Sequence, residues 1–341
     1  MRRRSLEGYL KHIQNTRWKH PLFYLLLVFS VFYLLGNYFH RALYRFRILS
    51  YVRADAYTVS IGNITWGGGG KTSFIELLGN ALPTLAIVCK NMSGASGVVE
   101  VDERLPAEAV GDEALLHAKN VKHADVFACK NKWEGALKAG KKEKLVLVDD
   151  GMQHYKLWRD LNVVCLNGDA PFGNGFPIPA GSMRELPQEL TRADYVVINN
   201  AKKNEPHPLS GRLASPVIEV AYVPMVSLPA RAVAFCGLGA PESFFRMLKE
   251  YGVNLVHTET LADHQAIDKG TLETLQKIGE EQGCEAILCT EKDFIKIEEF
   301  VSSPLPIKPV LCELEIRRGK EAFDTLVRVL RFHAEQESDT L

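Results

Sequence analysis

The sequence predicts an α/β protein: a parallel sheet flanked by helices, a second and smaller α/β domain, and an N-terminal apolar helix. Three observations lead there. After Asp55 short apolar, β-rich runs alternate with helical stretches. A glycine-rich loop lies between the first such run and the first helical stretch, and a charge-free apolar segment precedes both. A chain of 341 residues is long for one domain and comfortable for two. The expected divisions are an N-terminal segment 1–54, a core domain 55–225 and a C-terminal α/β domain 226–341.

Composition narrows the class. With 46% hydrophobic and 24% charged residues, wholesale disorder, a collagen and a polytopic membrane protein are excluded. Lys and Arg balance Asp and Glu at 41 each, but Met1–Arg53 holds ten of those cations against the single acid Glu7. That asymmetry points to an anionic surface rather than to nucleic acid, for which no motif is present. The seven cysteines form no CxxC pair and read as reduced, mostly buried thiols.

From Leu22 to Phe39 the chain is almost wholly apolar and uncharged. Its length is at the lower edge of a membrane span. No small-residue cleavage site follows, so it reads as retained rather than as a signal. Six basic residues precede the run and four follow it, so a span with a cytoplasmic body would translocate the more basic flank, against the positive-inside tendency. A membrane-associated helix embedded in the inner face fits better, aromatics at headgroup depth and cations over anionic lipids. The competing reading is a buried core helix.

Expected strands are Tyr57–Ile61, Leu85–Cys89, Leu145–Val148, Val163–Leu166, Tyr195–Ile198, Ala232–Cys236, Leu255–His257, Ala286–Cys289 and Val310–Cys312. Expected helices are Lys71–Ala81, Asp112–Asn120, Pro241–Tyr251, Lys269–Gln282 and Glu321–His333. Continuously apolar strands between helices imply a sheet covered on both faces. The polar, proline-bearing stretch 201–216 reads as a connection between domains or an excursion near one.

The clearest chemical signal is Gly62-Asn-Ile-Thr65-Trp-Gly67-Gly68-Gly69-Gly70-Lys71-Thr72, between an apolar strand and a helix. Glycines let backbone N–H groups approach phosphate oxygens, the helix N-terminus adds its positive end, Lys71 reaches the β/γ-phosphates and Thr72 can hold Mg²⁺. The sheet is therefore P-loop NTPase-like, and ATP with Mg²⁺ is the expected cofactor pair. The strict pattern has glycine where this chain has Thr65. Leu145-Val-Leu-Val-Asp149-Asp150 supplies the apolar strand ending in carboxylates that such a loop needs as metal partner; a strand-end turn would explain one of the two aspartates.

Other segments stay open on spacing alone. Gly111-Asp112-Glu113 lies where acids often merely start a helix. The Gly/Pro-rich loop from Asp169 through Asn174 to Arg184-Glu185 suits either binding or solvated surface. Asp263-His264 suits either chemistry or a helix start. Asn131-Lys132-Trp133-Glu134 only faintly follows a guanine-selecting pattern, and a GTPase is rejected because it precedes the carboxylate strand.

Taken in order, these segments resemble the tetraacyldisaccharide 4′-kinase family, membrane-associated kinases of lipid A synthesis. The matching elements are the loop at 62–72, Gly-Asp-Glu at 111–113, Asp-Asp-Gly-x-Gln-His at 149–154 with Arg159-Asp160, Gly-Asn-Gly to Pro-Ala-Gly-x-x-Arg-Glu at 173–185, Asp-His at 263–264 and Thr-Glu-Lys-Asp at 290–293. Thr65 is the family's own variant. The resemblance implies two α/β/α domains with a site between them, and transfer of the γ-phosphoryl of ATP to the 4′-hydroxyl of an acylated glucosamine disaccharide 1-phosphate at the cytoplasmic face of the inner membrane. It implies nucleotide binding by Thr65, Gly67, Gly68, Gly69, Gly70, Lys71 and Thr72. Asp112 and His264 become the catalytic pair, Thr72, Glu113, Asp149 and Asp150 the metal residues, and Asn174, Arg184 and Glu185 the substrate side. The chain departs from the family at Cys89-Lys-Asn-Met-Ser93, Ala114, Met152 and Gln265. A membrane-associated ATPase energising a protein partner, or a nucleotide-dependent membrane-binding module, is the rival reading. Oligomeric state is left open.

Overall fold

The structure, a computed structural model, describes residues 14, 20–91, 97–238, 241–261, 267–294, 297 and 304–336. The expectations at Arg2–Arg4, Met92, Ser93, Asp263, His264 and Gln265 lie outside the described residues.

Helix α1 (Pro21–Arg45) opens on proline, whose missing N–H costs nothing at a first turn. It outlasts the apolar run by six residues at its C-terminal end. By length and composition it is apolar enough to cross a membrane. Its buried residues are Phe23, Ser30 and Tyr44, and Asn37 continues the same seven-residue spacing. A heptad stripe is one face of a helix, and this face is docked on its own domain. Phe23 meets Phe176 edge-on with centroids 5.2 Å apart, and the Ser30 hydroxyl accepts from the Ala180 N–H at 3.1 Å. Asn37 Nδ2 donates to the Arg184 carbonyl at 3.2 Å, and Arg41 pairs with Glu189. The opposite face leaves Leu25, Phe29, Phe32 and Phe39 between 51% and 67% exposed.

The main sheet follows from runs too apolar to face water on either side. It comprises β1 (Tyr57–Gly62), β2 (Leu85–Lys90), β3 (Val98–Glu100), β4 (Ala124–Cys129), β5 (Leu145–Asp149), β6 (Leu161–Asn167), β7 (Tyr195–Asn199), β8 (Val217–Pro224) and β13 (Cys312–Arg318), in the order β13-β8-β7-β6-β1-β5-β2-β4-β3. From β4 through β8 neighbouring strands run parallel, and the short edge strand β3 runs antiparallel to β4. One face is covered by α5 (Lys132–Ala139), where Ala136 and Ala139 pack on Val88, Phe127 and Val148. Helices α2 (Lys71–Asn80), α3 (Ala107–Val110) and α4 (Asp112–Asn120) complete this half.

The second sheet takes β9 (Arg231–Cys236), β10 (Asn254–Thr260), β11 (Ala286–Thr290) and β12 (Ile307–Val310), all parallel, in the order β10-β9-β11-β12. The period-2 alternation of β9 shows how both faces are buried. Ala232, Ala234 and Cys236 meet α6 (Pro241–Glu250), while Val233 and Phe235 meet α7 (Lys269–Glu281). A single helical turn, α8 (Glu291–Phe294), follows β11.

The chain divides into two compact units. One holds the residues up to Asn199, Pro206–Glu219 and the chain from Arg318 onward; the other holds Asn200–Glu205 and Val220–Arg317. The division is therefore not a single cut at 225/226. The polar stretch after Asn199 visits the second unit before returning, and the C-terminal helix α9 (Lys320–Ala334) belongs with the first. There Phe323 meets Phe74 edge-on at 6.3 Å, His333 stacks on Tyr57 at 3.8 Å and Arg331 donates to the Ala81 carbonyl. The strand expected over Val310–Cys312 is in fact a break. Strand β12 ends at Val310 in one sheet and β13 begins at Cys312 in the other.

Candidate nucleotide and phosphoryl-transfer site

Register brings the site together. Strands β1 and β5 pair in parallel with Ile61 opposite Asp149, so the glycine loop and the two aspartates leave the sheet side by side. The loop is pinned from behind. Thr65, 4% exposed, forms a bridge to Met183, and the Trp66 N–H donates to the Ser182 carbonyl at 2.6 Å. Gly67, Gly68 and Gly70 all have positive φ, between 63° and 74°, where side-chained residues are strained. At Gly70 a Cβ would also fall 2.2 Å from Asn199 Nδ2, so the position is closed to any side chain. Gly70 caps α2 without a side-chain hydrogen bond, leaving the first amides of the helix to an anion.

Lys71, first residue of α2, places Nζ 3.5 Å from Asp150 Oδ1. Arg184 Nη1 lies 2.9 and 3.0 Å from the two Asp150 oxygens. Burial alone would raise the Asp150 pKa, but Lys71, Lys132 and Arg184 outweigh it and hold the carboxyl well below its ordinary range. Asp150 itself sits at φ 51°, a left-handed turn that aspartate tolerates better than most residues. Its backbone N–H donates to Ile61 O at 2.8 Å.

Asp149 differs in kind. It is 2% exposed, and among the described residues its Oδ1 has no hydrogen-bond partner. An orphaned buried carboxylate oxygen is costly, and hard oxygen donors are what Mg²⁺ takes, so the donor set fits that ion. Glu113, at the start of α4, lies where burial and the negative charge of Asp149 push its carboxyl pKa upward against the pull of Lys71. A cation beside the two acids would relieve both. Asp112 precedes Glu113 in the first turn of α4, with Gly111 at the cap and no side-chain cap bond. Both acids sit in the first turn, where they also complement the positive end of the helix.

Lys132 escapes a reading of the sequence by spacing. It is 1% exposed and its ammonium donates to the carbonyls of Asp149 and, at 2.9 Å, Asp150. Burial lowers its pKa while the two aspartates hold it up. The Asn-Lys pair after β4 is the available signal, and it points to a guanine motif instead. Arg159 works in a similar way on the next turn. Its Nη1 donates to the carbonyls of Gly151 and Met152, each at 3.0 Å, and of His154 at 3.3 Å, closing the turn behind Asp150. Burial, then the charge of Lys132, lowers the His154 pKa to about 4.

The substrate-side residues separate. Glu185 is 2% exposed, and its carboxylate accepts from Gln153 at 2.8 Å, from Tyr155 at 3.4 Å and from Arg192. Asn174 donates to the Ala180 carbonyl and accepts from the Phe176 N–H. Both residues build the loop, while Arg184 projects from it toward Asp150, with the exposed Trp66 ring 5.7 Å from its guanidinium. Thus Lys71, Glu113, Asp149, Asp150 and Arg184 converge within one unit.

The profile of the tetraacyldisaccharide-1-P 4′-kinase family (LpxK) matches residues 22–331. The chain is 33% identical over 308 residues to the tetraacyldisaccharide 4′-kinase of Chlamydia abortus, covering 82% of this chain and 84% of that protein. It is 30% identical to the Syntrophus aciditrophicus protein of the same name, covering 90% and 92%. A crystal structure of LpxK from Aquifex aeolicus in complex with ATP superposes with a TM-score of 0.67 at 25% identity, over 91% of this chain and 99% of that one. The chain therefore belongs to the tetraacyldisaccharide-1-P 4′-kinase family.

Proposed function

We propose that this protein transfers the γ-phosphoryl of ATP to the 4′-hydroxyl of a tetraacyldisaccharide 1-phosphate, working at the cytoplasmic face of the inner membrane. One observation carries the reading: a positive-φ glycine loop and Lys71 open beside Asp149 and Asp150 in the same unit that carries the apolar helix α1. Phosphoryl transfer requires charge neutralisation and in-line placement more than covalent chemistry. The amides of residues 67–72 and the Lys71 ammonium would hold the β- and γ-phosphates. Thr72, Asp149 and Glu113 would hold Mg²⁺, which when bound neutralises charge on the transferring group. Asp150 is engaged by two cations, so its part is to fix Lys71 and Arg184 rather than to donate freely to metal. Asp112, with His264, is assigned to removing the acceptor hydroxyl's proton. Glu185 and Asn174 serve the acceptor by shaping the loop that presents Arg184.

The two faces of α1 support a location at a membrane surface. Its stripe of Phe23, Ser30, Asn37 and Tyr44 is spent on the domain along about 30 Å of helix, so the exposed aromatic face is free to lie in a headgroup layer. That arrangement suits a monotopic helix rather than a span. Arg45, Arg47 and Arg53, beyond the apolar face, add about 1 kcal/mol each near anionic lipid.

The test is direct. Purified protein, labelled ATP and the disaccharide 1-phosphate should give a doubly phosphorylated glycolipid, with ATP consumed in proportion. ATP hydrolysis that needs no glycolipid and appears only with an added protein partner would favour the ATPase alternative.

A further inference from the structure

At the ends of β2 and β5 lies a cluster of which the proposed kinase reaction uses only Asp149. Cys89 at the end of β2, His117 on α4 and Asp149 at the end of β5 each offer one ligand atom, and the three atoms lie within 4.8 Å of one another. All three residues are at most 2% exposed. His117 is fully buried, yet among the described residues neither ring nitrogen has a hydrogen-bond partner, and Asp149 Oδ1 has none either. Buried imidazoles are normally satisfied, so this one is placed at a cost that its own fold does not recover. Its ring is nonetheless oriented. Nδ1 faces Glu76 Oε1 on α2 at 3.6 Å and Nε2 faces Asp149 Oδ2 at 3.8 Å. A carboxylate behind one imidazole nitrogen, with the other directed at a ligand cluster, is the outer-shell arrangement of histidine–metal sites.

We propose that Cys89, His117 and Asp149 form an inhibitory site for a thiophilic divalent cation of the zinc class, with Glu76 holding the His117 ring from behind. Bonds of about 2.3 Å to sulfur and about 2.0 Å to nitrogen or oxygen define a tetrahedral site, three of whose corners the side chains reach by closing roughly 1 Å on one another, with a water molecule as the fourth ligand. The sulfur donor sets the selectivity: Mg²⁺ demands oxygen ligands, whereas thiolate and imidazole select zinc-like ions. Binding forms the metal–sulfur bond as the Cys89 thiol proton leaves to solvent. Without the ion the thiol stays protonated, since burial pushes its pKa well above the usual value. The ion would take Asp149 from its part in MgATP handling, and this consequence rests on the functional reading above.

Full-length protein freed of nucleotide and Mg²⁺ is titrated with Co²⁺. The expected result is a near-ultraviolet sulfur-to-cobalt charge-transfer band with the visible bands of a four-coordinate ion, lost in Cys89→Ser and weakened in His117→Gln. No such band in the wild type, or an equal band in Cys89→Ser, overturns the site. Kinase turnover with MgATP is then followed at rising free Zn²⁺ in a chelator buffer. Cys89→Ser, with wild-type turnover in the absence of Zn²⁺, should need at least tenfold more Zn²⁺ for half-inhibition, and equal inhibition of both proteins overturns the inhibitory role. A cobalt band in a protein without kinase activity would sink the functional reading and leave the site standing.

Discussion

The Arg184 guanidinium and the Asp150 carboxylate are locked together, with one guanidinium nitrogen at 2.9 and 3.0 Å from the two carboxylate oxygens. That nitrogen also donates to Gln153 Oε1 at 2.8 Å, whose amide nitrogen bonds Asn63 O and Glu185. The loop of residues 173–185 and the strand-end turn after Asp149 are thus one hydrogen-bonded body, and its Asp150 carboxylate lies 3.5 Å from the Lys71 ammonium.

Arg184→Ala should therefore act through Asp150 as well as through lost substrate contact. Asp150 has a depressed folded-state pKa, so its stabilising contribution is present above the unfolded value near ~3.9 and is lost as pH falls through the folded value. Removing Arg184 moves the folded value up toward the ordinary range. The variant should be less stable than the wild type at pH 7, by an offset that stays constant down to about pH 4 and narrows below it, where the wild type loses the contribution that the variant no longer makes. Parallel pH profiles for the two proteins would show that Arg184 does not set the charge on Asp150.

Lys71→Ala should abolish transfer, by about 10³-fold or more, because oriented cations on the transferring phosphoryl supply much of the rate enhancement in such reactions. Lys71 is not a core residue, and the melting temperature should hardly move. Near-normal turnover would refute the loop assignment.

Lys132→Met tests the buried ammonium that supports the aspartate pair. The substitution keeps the stem but leaves two carbonyls unpaired, at about 1–3 kcal/mol for each buried group. Stability should fall by a few kcal/mol in denaturant titration, and turnover should fall beyond what unfolding explains. An unperturbed protein would mean that water replaces the ammonium without loss.

The first eight expected strands and all five expected helices lie where the sequence placed them, because continuous apolar runs such as Leu145–Val148 and a glycine loop before a helix are local signals. What stayed illegible is long-range. The pattern for Val310–Cys312 reads as one strand, since nothing local says that Val310 and Cys312 pair into different sheets. Lys132 looks like a helix-start cation, and only the β4–β2–β5 strand order puts its ammonium under Asp149. Glu185 looks like a surface acid paired with Arg184. Its burial depends on Arg192, Gln153 and Tyr155, which no spacing rule joins to it. The residues of the proposed nucleotide half were legible because they are contiguous in sequence, whereas those proposed for the acceptor side were not, because they serve one another first.

Asp112→Asn and His264→Ala test the proton-removal assignment. If the two groups act as one unit, each should lower kcat far more than it raises KM, and the double variant should be little worse than either. Fully additive losses would assign them separate roles.

Helix α1 offers the sharpest separation of roles, because its two faces make opposite predictions. Asn37 is a polar residue turned onto the domain, donating to the Arg184 carbonyl and accepting from the Tyr155 hydroxyl at 3.2 Å. Phe29 and Phe32 are 53% and 66% exposed on the other side. Asn37→Ala should leave binding to anionic vesicles unchanged while lowering glycolipid turnover several-fold, since it loosens the backbone that aims Arg184. Phe29→Ser with Phe32→Ser should do the reverse in purified form with detergent-solubilised acceptor, keeping turnover while losing vesicle binding. Burying a phenyl side chain is worth about 1.5–3 kcal/mol, and a headgroup layer takes up only part of each ring. A loss of about ten- to a hundredfold in partitioning is therefore expected from the pair. If the double Phe variant bound vesicles as well as wild type, the exposed face of α1 would not be the lipid-facing one, and the anchor would have to lie elsewhere in the chain.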